Sequence, residues 1–382
     1  MTRVLMISTD RKIFDNNSLV RERMIEYGSI FDELNIVVLT KRGEAIGQLP
    51  VHLSPKVRVF ATESAGRLSA IKDAFKVGMQ ILDSATDLNF WVITTQDPFE
   101  TGLVGRKLKR VFKLPLQIQV HTDLLNIHFA HDPLNNLRFI VARQVLKSAD
   151  SLRVVSERIK RSLVNDYRFA IPAEKISVLP IFIDLEKIRS LPVSVDLHKK
   201  YPQFGKIVLI ASRLTKEKNL FFALKVFRRL LKETPEAGLV IVGDGPKRLK
   251  LEKKAKSWGI ADRVKFEGWQ DNLVSYYKTA DTFLSTSFYE GFGLTIVEAI
   301  ALGLPVVSSN VGIASQALTS VNGSVCEYPD IDCFVHRLWH FLAEGRFEPG
   351  SGDINFSQIM TTDKADYLRK YQQAIEIIAR AR

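Results

Sequence analysis

The stretch from Ser287 to Asn310, SFYEGFGLTIVEAIALGLPVVSSN, leaves few folds open to this chain. Glu290, Gly291, Phe292 and Gly293 make a turn, and Leu294 to Leu302 is apolar except at Thr295 and Glu298, which predicts a helix buried on most sides. Gly303 and Pro305 end it in the order of a glycine C-cap followed by a residue that cannot continue a helix. A short strand starts at Val306 and Val307. A glycine turn opening a helix presents unpaired N–H groups and the positive end of the helix dipole, which suits a phosphate at Gly293, Leu294 and Thr295. Glu290 before the helix and Glu298 one turn inside it can accept hydrogen bonds from hydroxyls. Together they suit an elongated, phosphorylated, polyhydroxylated ligand such as a nucleotide sugar. Read singly, Glu290 is a solvated turn residue and Glu298 an ion-paired helix charge. The apolar neighbours of Glu298 favour the ligand reading, because a carboxylate there is costly without partners.

The E-x7-E spacing of Glu290 and Glu298, the intervening GFGLTIV and the following EAIALGLPVVSSNVG resemble the signature of the retaining glycosyltransferases of family 4, which have the GT-B fold. That resemblance implies two Rossmann-like parallel-sheet domains with an interdomain cleft, and a C-terminal helix crossing back to brace the first domain. It also implies a nucleoside-diphosphate sugar donor bound beside Gly291, Phe292 and Gly293.

A length of 382 residues suits two domains. Hydrophobic residues at 46% and charged residues at 25% are ordinary for a globular chain. No apolar run approaches a membrane span, and MTRVLMISTD leads into a strand rather than a signal peptide, so the expected location is cytoplasmic. Cys326 and Cys333 form neither a disulfide framework nor a metal motif and are read as packing residues. The net charge of +12 is concentrated in 101–175 and 206–265, which suits phosphorylated ligands, anionic lipid or nucleic acid. No RRM, KH or zinc-finger motif supports nucleic acid.

In chain order, Arg3–Ser8 reads as a strand, Leu19–Tyr27 as a helix capped by Asn16, Asn17 or Ser18, and Asn35–Leu39 as the second strand. This order opens a parallel sheet, whose ligands gather at strand carboxyl ends, so the loop Thr9–Ser18, with Asn16 and Ser18, borders the cleft. Helices follow near Leu68–Leu82 and Thr101–Phe112, with strands at Trp91–Thr94 and Leu116–Val120. The helix to Phe112 turns Val104, Leu108 and Val111 inward and Arg106, Arg110 and Lys113 outward. With a second basic helical region at Arg153–Arg161, it suggests docking on an anionic membrane surface at the inner face. His121 follows the strand Leu116–Val120. With His128 and His131 it matches no zinc spacing, so no metal is expected. By resemblance His121 lies beside the transferred sugar. Asp123, His131 and Asp132 are acceptor-side candidates. A helix at Leu134–Lys147, strands at Ser151–Val155 and Ile176–Leu179 and a connector at Pro180–Pro192 complete the domain.

The second domain begins with Ile207–Ala211 and SRLTKEKNL, where Arg213 and Lys218 can neutralise a diphosphate. The loop resembles the family's G-R-x-x-x-E-K-G-x, with Ser212 and Asn219 in the glycine places. A strand at Leu239–Val242 ends in Gly243 and Gly245, which read equally as a plain turn or as a close approach to ligand. By resemblance, Trp269 and Gln270 after the strand Val264–Gly268 border the base. Asp330 and Asp332 read as a helix cap rather than a metal-binding D-x-D.

The expected domains are 1–185 on the acceptor side, 186–355 on the donor side and a terminal helix in 356–382. The expected activity is metal-independent transfer of a sugar, from a UDP- or GDP-sugar with retention, to a glycan or lipid-linked glycan acceptor. His121, Arg213, Lys218 and Glu290 are its catalytic candidates. A GT-B epimerase, a catalytically silent nucleotide-sugar binder and a nucleic-acid module remain as alternatives.

Overall fold

Short apolar runs such as Val4–Ile7 and Ile207–Ala211, separated by amphipathic helices, give strands buried on both faces, the composition of parallel sheets. The structure, a computed structural model, describes residues 2–45, 49–131, 133–348 and 356–380. The chain divides into one unit of Met1–Ile181 with Asp363–Arg382, and another of Phe182–Thr362.

The first unit holds β1 (Arg3–Ser8), β2 (Glu33–Val38), β3 (Val51–Ser54), β4 (Val57–Ala61), β5 (Trp91–Thr95), β6 (Leu116–Val120), β7 (Ser151–Val154) and β8 (Ile176–Val178). They form one sheet in the order β3-β4-β2-β1-β5-β6-β7-β8. Among the described residues, β3 and β4 are the one antiparallel pair of this sheet. The edge pair β3 and β4 was not expected, because His52, Ser54 and Arg58 interrupt the apolar pattern at a half-exposed rim. The helix Leu19–Ser29 starts at Ser18, whose hydroxyl accepts from Arg21 N.

The terminal helix Lys364–Ala379 packs back on this sheet, as the GT-B resemblance implies. Its Tyr371 ring stacks 4.2 Å from Tyr27, and Ala374 O accepts from Gln117 Nε2 at 2.9 Å.

The second unit holds β9 (Lys206–Ala211), β10 (Ala237–Val242), β11 (Val264–Gly268), β12 (Thr282–Ser285), β13 (Val306–Ser309) and β14 (Gly323–Cys326), ordered β11-β10-β9-β12-β13-β14 and parallel throughout. The connector contains a short helix, Leu185–Ser190, capped by Asp184. Asp330 caps the helix Ile331–Glu344 by accepting from Cys333 N, as expected.

Three expectations are corrected. Cys326 and Cys333 form a disulfide, with Cα atoms 5.9 Å apart. Cys326 ends β14 and Cys333 lies in the first turn of the next helix, so the short loop between them folds the two together. Arg153 is not on a basic helix: it lies in β7, 2% exposed, and the helix begins only at Glu157. Val111 faces outward, because the helix Glu100–Phe112 approaches the sheet on its glycines; a Cβ on Gly105 would meet Thr95 Cγ2 at 2.5 Å.

Candidate functional site

In the second unit the chemistry collects at the carboxyl ends of β9 and β12. The loop leaving β12 is stitched to the loop leaving β9: Phe288 N donates to Glu217 O at 2.8 Å, and the Thr286 hydroxyl donates to Lys218 O at 3.2 Å. Ser309 Oγ donates to Ser287 O at 2.6 Å and ties in the end of β13. Two residues 72 apart in sequence are thereby joined, with Lys218 Nζ 2.5 Å from Glu290 Oε1. Ser287 Oγ donates to the same carboxylate oxygen at 2.7 Å. Thr286, Ser287, Lys218, Glu290 and Thr295 line one crevice with Ser212.

Asn219 takes a left-handed φ of +52°, which asparagine tolerates better than most residues, and ends the Lys216–Lys218 turn. Its Nδ2 and the Ser212 hydroxyl are buried without a hydrogen-bond partner among the described residues. Unpaired buried polar groups cost stability, and Ser212, which lines the crevice, marks a place that a ligand or water can satisfy. Arg213, in the same loop after β9, is 68% exposed, with Nη2 3.3 Å from Glu217 Oε1.

Gly293 has φ +102° and opens the helix Leu294–Ala301, leaving the first-turn N–H groups without intrahelical acceptors. Gly312 supports the turn before it: Ile313 N donates to Phe292 O at 2.9 Å, and a Cβ on Gly312 would fall 2.1 Å from that oxygen. Gly291 and Phe292 are buried within this turn. Glu298, one turn inside, accepts from the Tyr277 hydroxyl at 3.0 Å, and burial pushes its carboxyl up to about 7.

Gly243 and Gly245 are explained by backbone contact. A Cβ on Gly243 would meet Ser212 O at 2.0 Å, and one on Gly245 would meet Leu214 O at 2.7 Å, so the glycines let this turn lie against the Arg213 loop. Trp269 is 55% exposed, its indole N–H donating to Asp271 Oδ1 at 3.0 Å. Gln270 Nε2 donates to Glu267 O at 3.0 Å.

In the first unit a cavity of about 290 Å³ opens at the carboxyl ends of β1, β5 and β6. His121 lines it, Nε2 lying 3.2 Å from Gln119 Oε1. Burial, with the charges of Arg153 and Arg23, pushes its imidazole down to about 3, so it is neutral at pH 7. Asp97 also lines the cavity, and burial, reinforced by the charge of Glu100, raises its carboxyl to about 6. Thr9 and Asp10 are the lining residues of the first loop; Asn16 is exposed, and the Ser18 hydroxyl caps its helix and donates to Lys12 O at 2.5 Å. Asp123 is buried outside this lining, its carboxyl raised by burial. Asp132 and the His131 side chain lie outside the described residues. Asp97, Arg23, Arg153 and Ser287 were not singled out as site residues in the sequence; only Arg153, a cation inside an apolar strand pattern, carried a signal.

The chain resembles known proteins over both of its halves. Residues 35–187 match the model described as Glycosyltransferase Family 4, and residues 198–348 match Glycosyl transferases group 1. The chain is 32% identical over 255 residues to alpha-monoglucosyldiacylglycerol synthase of Streptococcus pneumoniae, covering 63% of this chain and 57% of that protein. It is 29% identical over 255 residues to N-acetyl-alpha-D-glucosaminyl L-malate synthase of Bacillus anthracis, covering 66% and 63%. The chain thus spans about three-fifths of the length of these two curated relatives. Anabaena HepE in complex with UDP and glucose matches in fold with a TM-score of 0.68 at 18% identity, over 100% of this chain and 98% of that one.

Proposed function

The chain belongs to the family 4, group 1 glycosyltransferases, and from that premise we propose a retaining, metal-independent transfer of a hexose from a nucleoside-diphosphate sugar to a glycan or lipid-linked glycan. The observation that carries this reading is the enclosed Lys218–Glu290 pair beside the helix start at Gly293. It sets a cation, a row of N–H donors and a hydroxyl-binding carboxylate within one crevice.

In this reading Arg213, Lys218 and the N–H groups of Gly293, Leu294 and Thr295 stabilise the charge that develops on the departing diphosphate. Two cations and a helix dipole supply the compensation that a divalent ion gives elsewhere. Glu290 accepts from hydroxyls of the transferred sugar, and its second oxygen is the one that Lys218 and Ser287 leave available. Glu298 accepts from the ribose. Trp269 and Gln270 border the base. His121, neutral, orients the sugar by hydrogen bonding rather than by charge. Glu290 already serves Lys218 and Ser287, which argues against a covalent nucleophile and for attack from the face the diphosphate leaves. The first unit takes the acceptor. The exposed Lys107, Arg110 and Lys113 favour attraction to an anionic membrane surface, and the pneumococcal relative's name supports a lipid-linked acceptor.

Calorimetric titration with UDP, GDP and ADP, without metal, tests the donor site. One diphosphate should bind selectively and lose affinity in Arg213→Ala. Binding of none, or accumulation of a covalent glycosyl-enzyme with the matching donor, overturns the reading.

A further inference from the structure

The cavity of the first unit holds a cation that the chain itself does not neutralise. Arg153 is 2% exposed, and a buried ion is costly unless partners compensate it. Its partners are all neutral. Nε donates to Leu179 O at 3.0 Å, Nη1 to Gln119 Oε1 at 2.9 Å, and Nη2 to Pro180 O at 3.2 Å and the Tyr367 hydroxyl at 3.0 Å. The Tyr371 ring lies 5.0 Å from the guanidinium carbon. One of the five guanidinium N–H groups is left over, and among the described residues no carboxylate pairs with this arginine.

A second arginine lines the same cavity. Arg23, on the helix Leu19–Ser29, is half-buried and has no hydrogen-bond or ion-pair partner among the described residues. The two carboxylates of the lining are engaged locally instead. Asp10 Oδ1 accepts from Lys12 N at 3.2 Å, and Asp97 Oδ1 accepts from Phe99 N at 2.7 Å and Thr101 N at 3.3 Å. Two unmatched cations lining one cavity favour an anion that balances them.

We propose that this cavity is an oxyanion pocket in which Arg23 and Arg153 receive the phosphate of a small phosphate ester, so that the acceptor of the transfer carries a phosphate group. The assignment to the acceptor rests on the transferase reading; the pocket itself does not. At about 290 Å³ it lies at the lower end of small-ligand pockets, which favours a compact ester or a headgroup over the interior of a polymer. Gln96 and His121, also in the lining, are placed for hydroxyls of such a molecule.

The test is calorimetric titration of the full chain with glycerol 3-phosphate, and with glycerol as the uncharged control. Wild type, Arg23→Gln and Arg213→Ala are compared, because Arg213 belongs to the other phosphate-binding loop. The expected result is binding to wild type and to Arg213→Ala, at least tenfold weaker binding to Arg23→Gln, and none with glycerol. No binding to wild type, equal affinity in Arg23→Gln, or a loss confined to Arg213→Ala overturns the pocket. Arg153→Met should abolish binding; circular dichroism reports its folding, and Arg23→Gln carries the test if it misfolds. UDP, GDP and ADP are titrated in the same series. Diphosphate binding without the ester overturns the pocket alone, and ester binding without any diphosphate overturns the transferase reading alone. Cosedimentation with phosphatidylglycerol vesicles separates the two phosphate sources: an Arg23-dependent fraction points to a lipid headgroup, and binding of the soluble compound only points to a free ester.

Discussion

Lys218 Nζ and Glu290 Oε1 meet at 2.5 Å with only 15% and 19% of their side chains exposed. Each charge is therefore held by the other in the free protein, and neither can be removed without stranding its partner. Lys218→Ala and Glu290→Ala should each lower kcat/KM by about 10²–10³, the scale on which transition-state charge stabilisation is lost. The double variant should be far from the product of the two effects, since residues in one ion pair couple. Steady-state rates with the donor identified by calorimetry check this, and additive losses would show that the two act independently.

Arg213 lies at the other extreme, 68% exposed and reaching Glu217 at 3.3 Å. An exposed contact of this kind adds roughly 0–1 kcal/mol to stability. In the proposed donor site its contribution to binding is larger, because a charge-assisted bond to phosphate is worth about 1.5–3 kcal/mol. Arg213→Ala should leave the melting temperature nearly unchanged while weakening nucleoside-diphosphate binding about tenfold or more. Arg213→Lys should restore charge but not the planar fork, and recover only part of the affinity.

Glu298 gives the site a pH signature. Burial raises its carboxyl from the ordinary 4.5 to about 7, so the folded state keeps a proton that the unfolded chain has lost. The stability this contributes is complete below pH 4.5 and is lost as pH rises through 7, by up to roughly 3 kcal/mol. Asp97, raised to about 6, acts with the same sign. His121, lowered to about 3, acts oppositely and loses stability as pH falls below 6.5. The readout is therefore the difference between Glu298→Gln and wild type in denaturant melts from pH 4.5 to 8. The variant should gain on wild type with rising pH; a constant difference would place the titration elsewhere. With Glu298 receiving the ribose as proposed, donor affinity in wild type should fall below pH 7, as that carboxylate is protonated, and stay flat in the variant.

Strands with unbroken apolar runs, such as Ile207–Ala211 and Leu239–Val242, were readable because both of their faces are buried and the composition says so directly. The edge strand β3 and its neighbour β4 were not, since most of their side chains are only partly buried and the pattern resembles a loop. The turn at Gly293 was visible through its glycines, whereas the contact of Glu290 with Lys218 depends on β12 lying beside β9, which spacing does not encode. Arg153 shows the limit most clearly. A lone arginine among apolar residues reads as a surface charge, and its burial is made tolerable by the carbonyls of Leu179 and Pro180, which follow β8, together with Gln119 Oε1 and the Tyr367 hydroxyl.

The Cys326–Cys333 disulfide closes a loop of a few residues, for which chain-entropy reasoning gives about 2–3 kcal/mol. It fastens the end of β14 to the first turn of the next helix, and the loop it closes carries Tyr328, whose ring packs edge-on against Phe288 at 5.1 Å. Cys333→Ser should lower the melting temperature of the second unit by several degrees. Reductant should reproduce that shift in wild type and do nothing further in the variant. Equal melting with and without reductant would mean that the bond contributes no stability.

The terminal helix makes the last prediction. Tyr371 is fully buried between the Tyr27 ring, 4.2 Å away, and the Arg153 guanidinium, and its hydroxyl receives Gln119 Nε2 at 3.3 Å. A long hydrogen bond contributes little, so Tyr371→Phe should cost less than about 1 kcal/mol. Tyr371→Ala removes the ring from between two aromatic and cationic partners and opens a cavity beside a buried charge, which should cost about 3–5 kcal/mol. Chemical denaturation followed through the first unit's tryptophan, Trp91, separates the two outcomes. If alanine were as mild as phenylalanine, the helix Lys364–Ala379 would be an appendage of this sheet rather than part of its core.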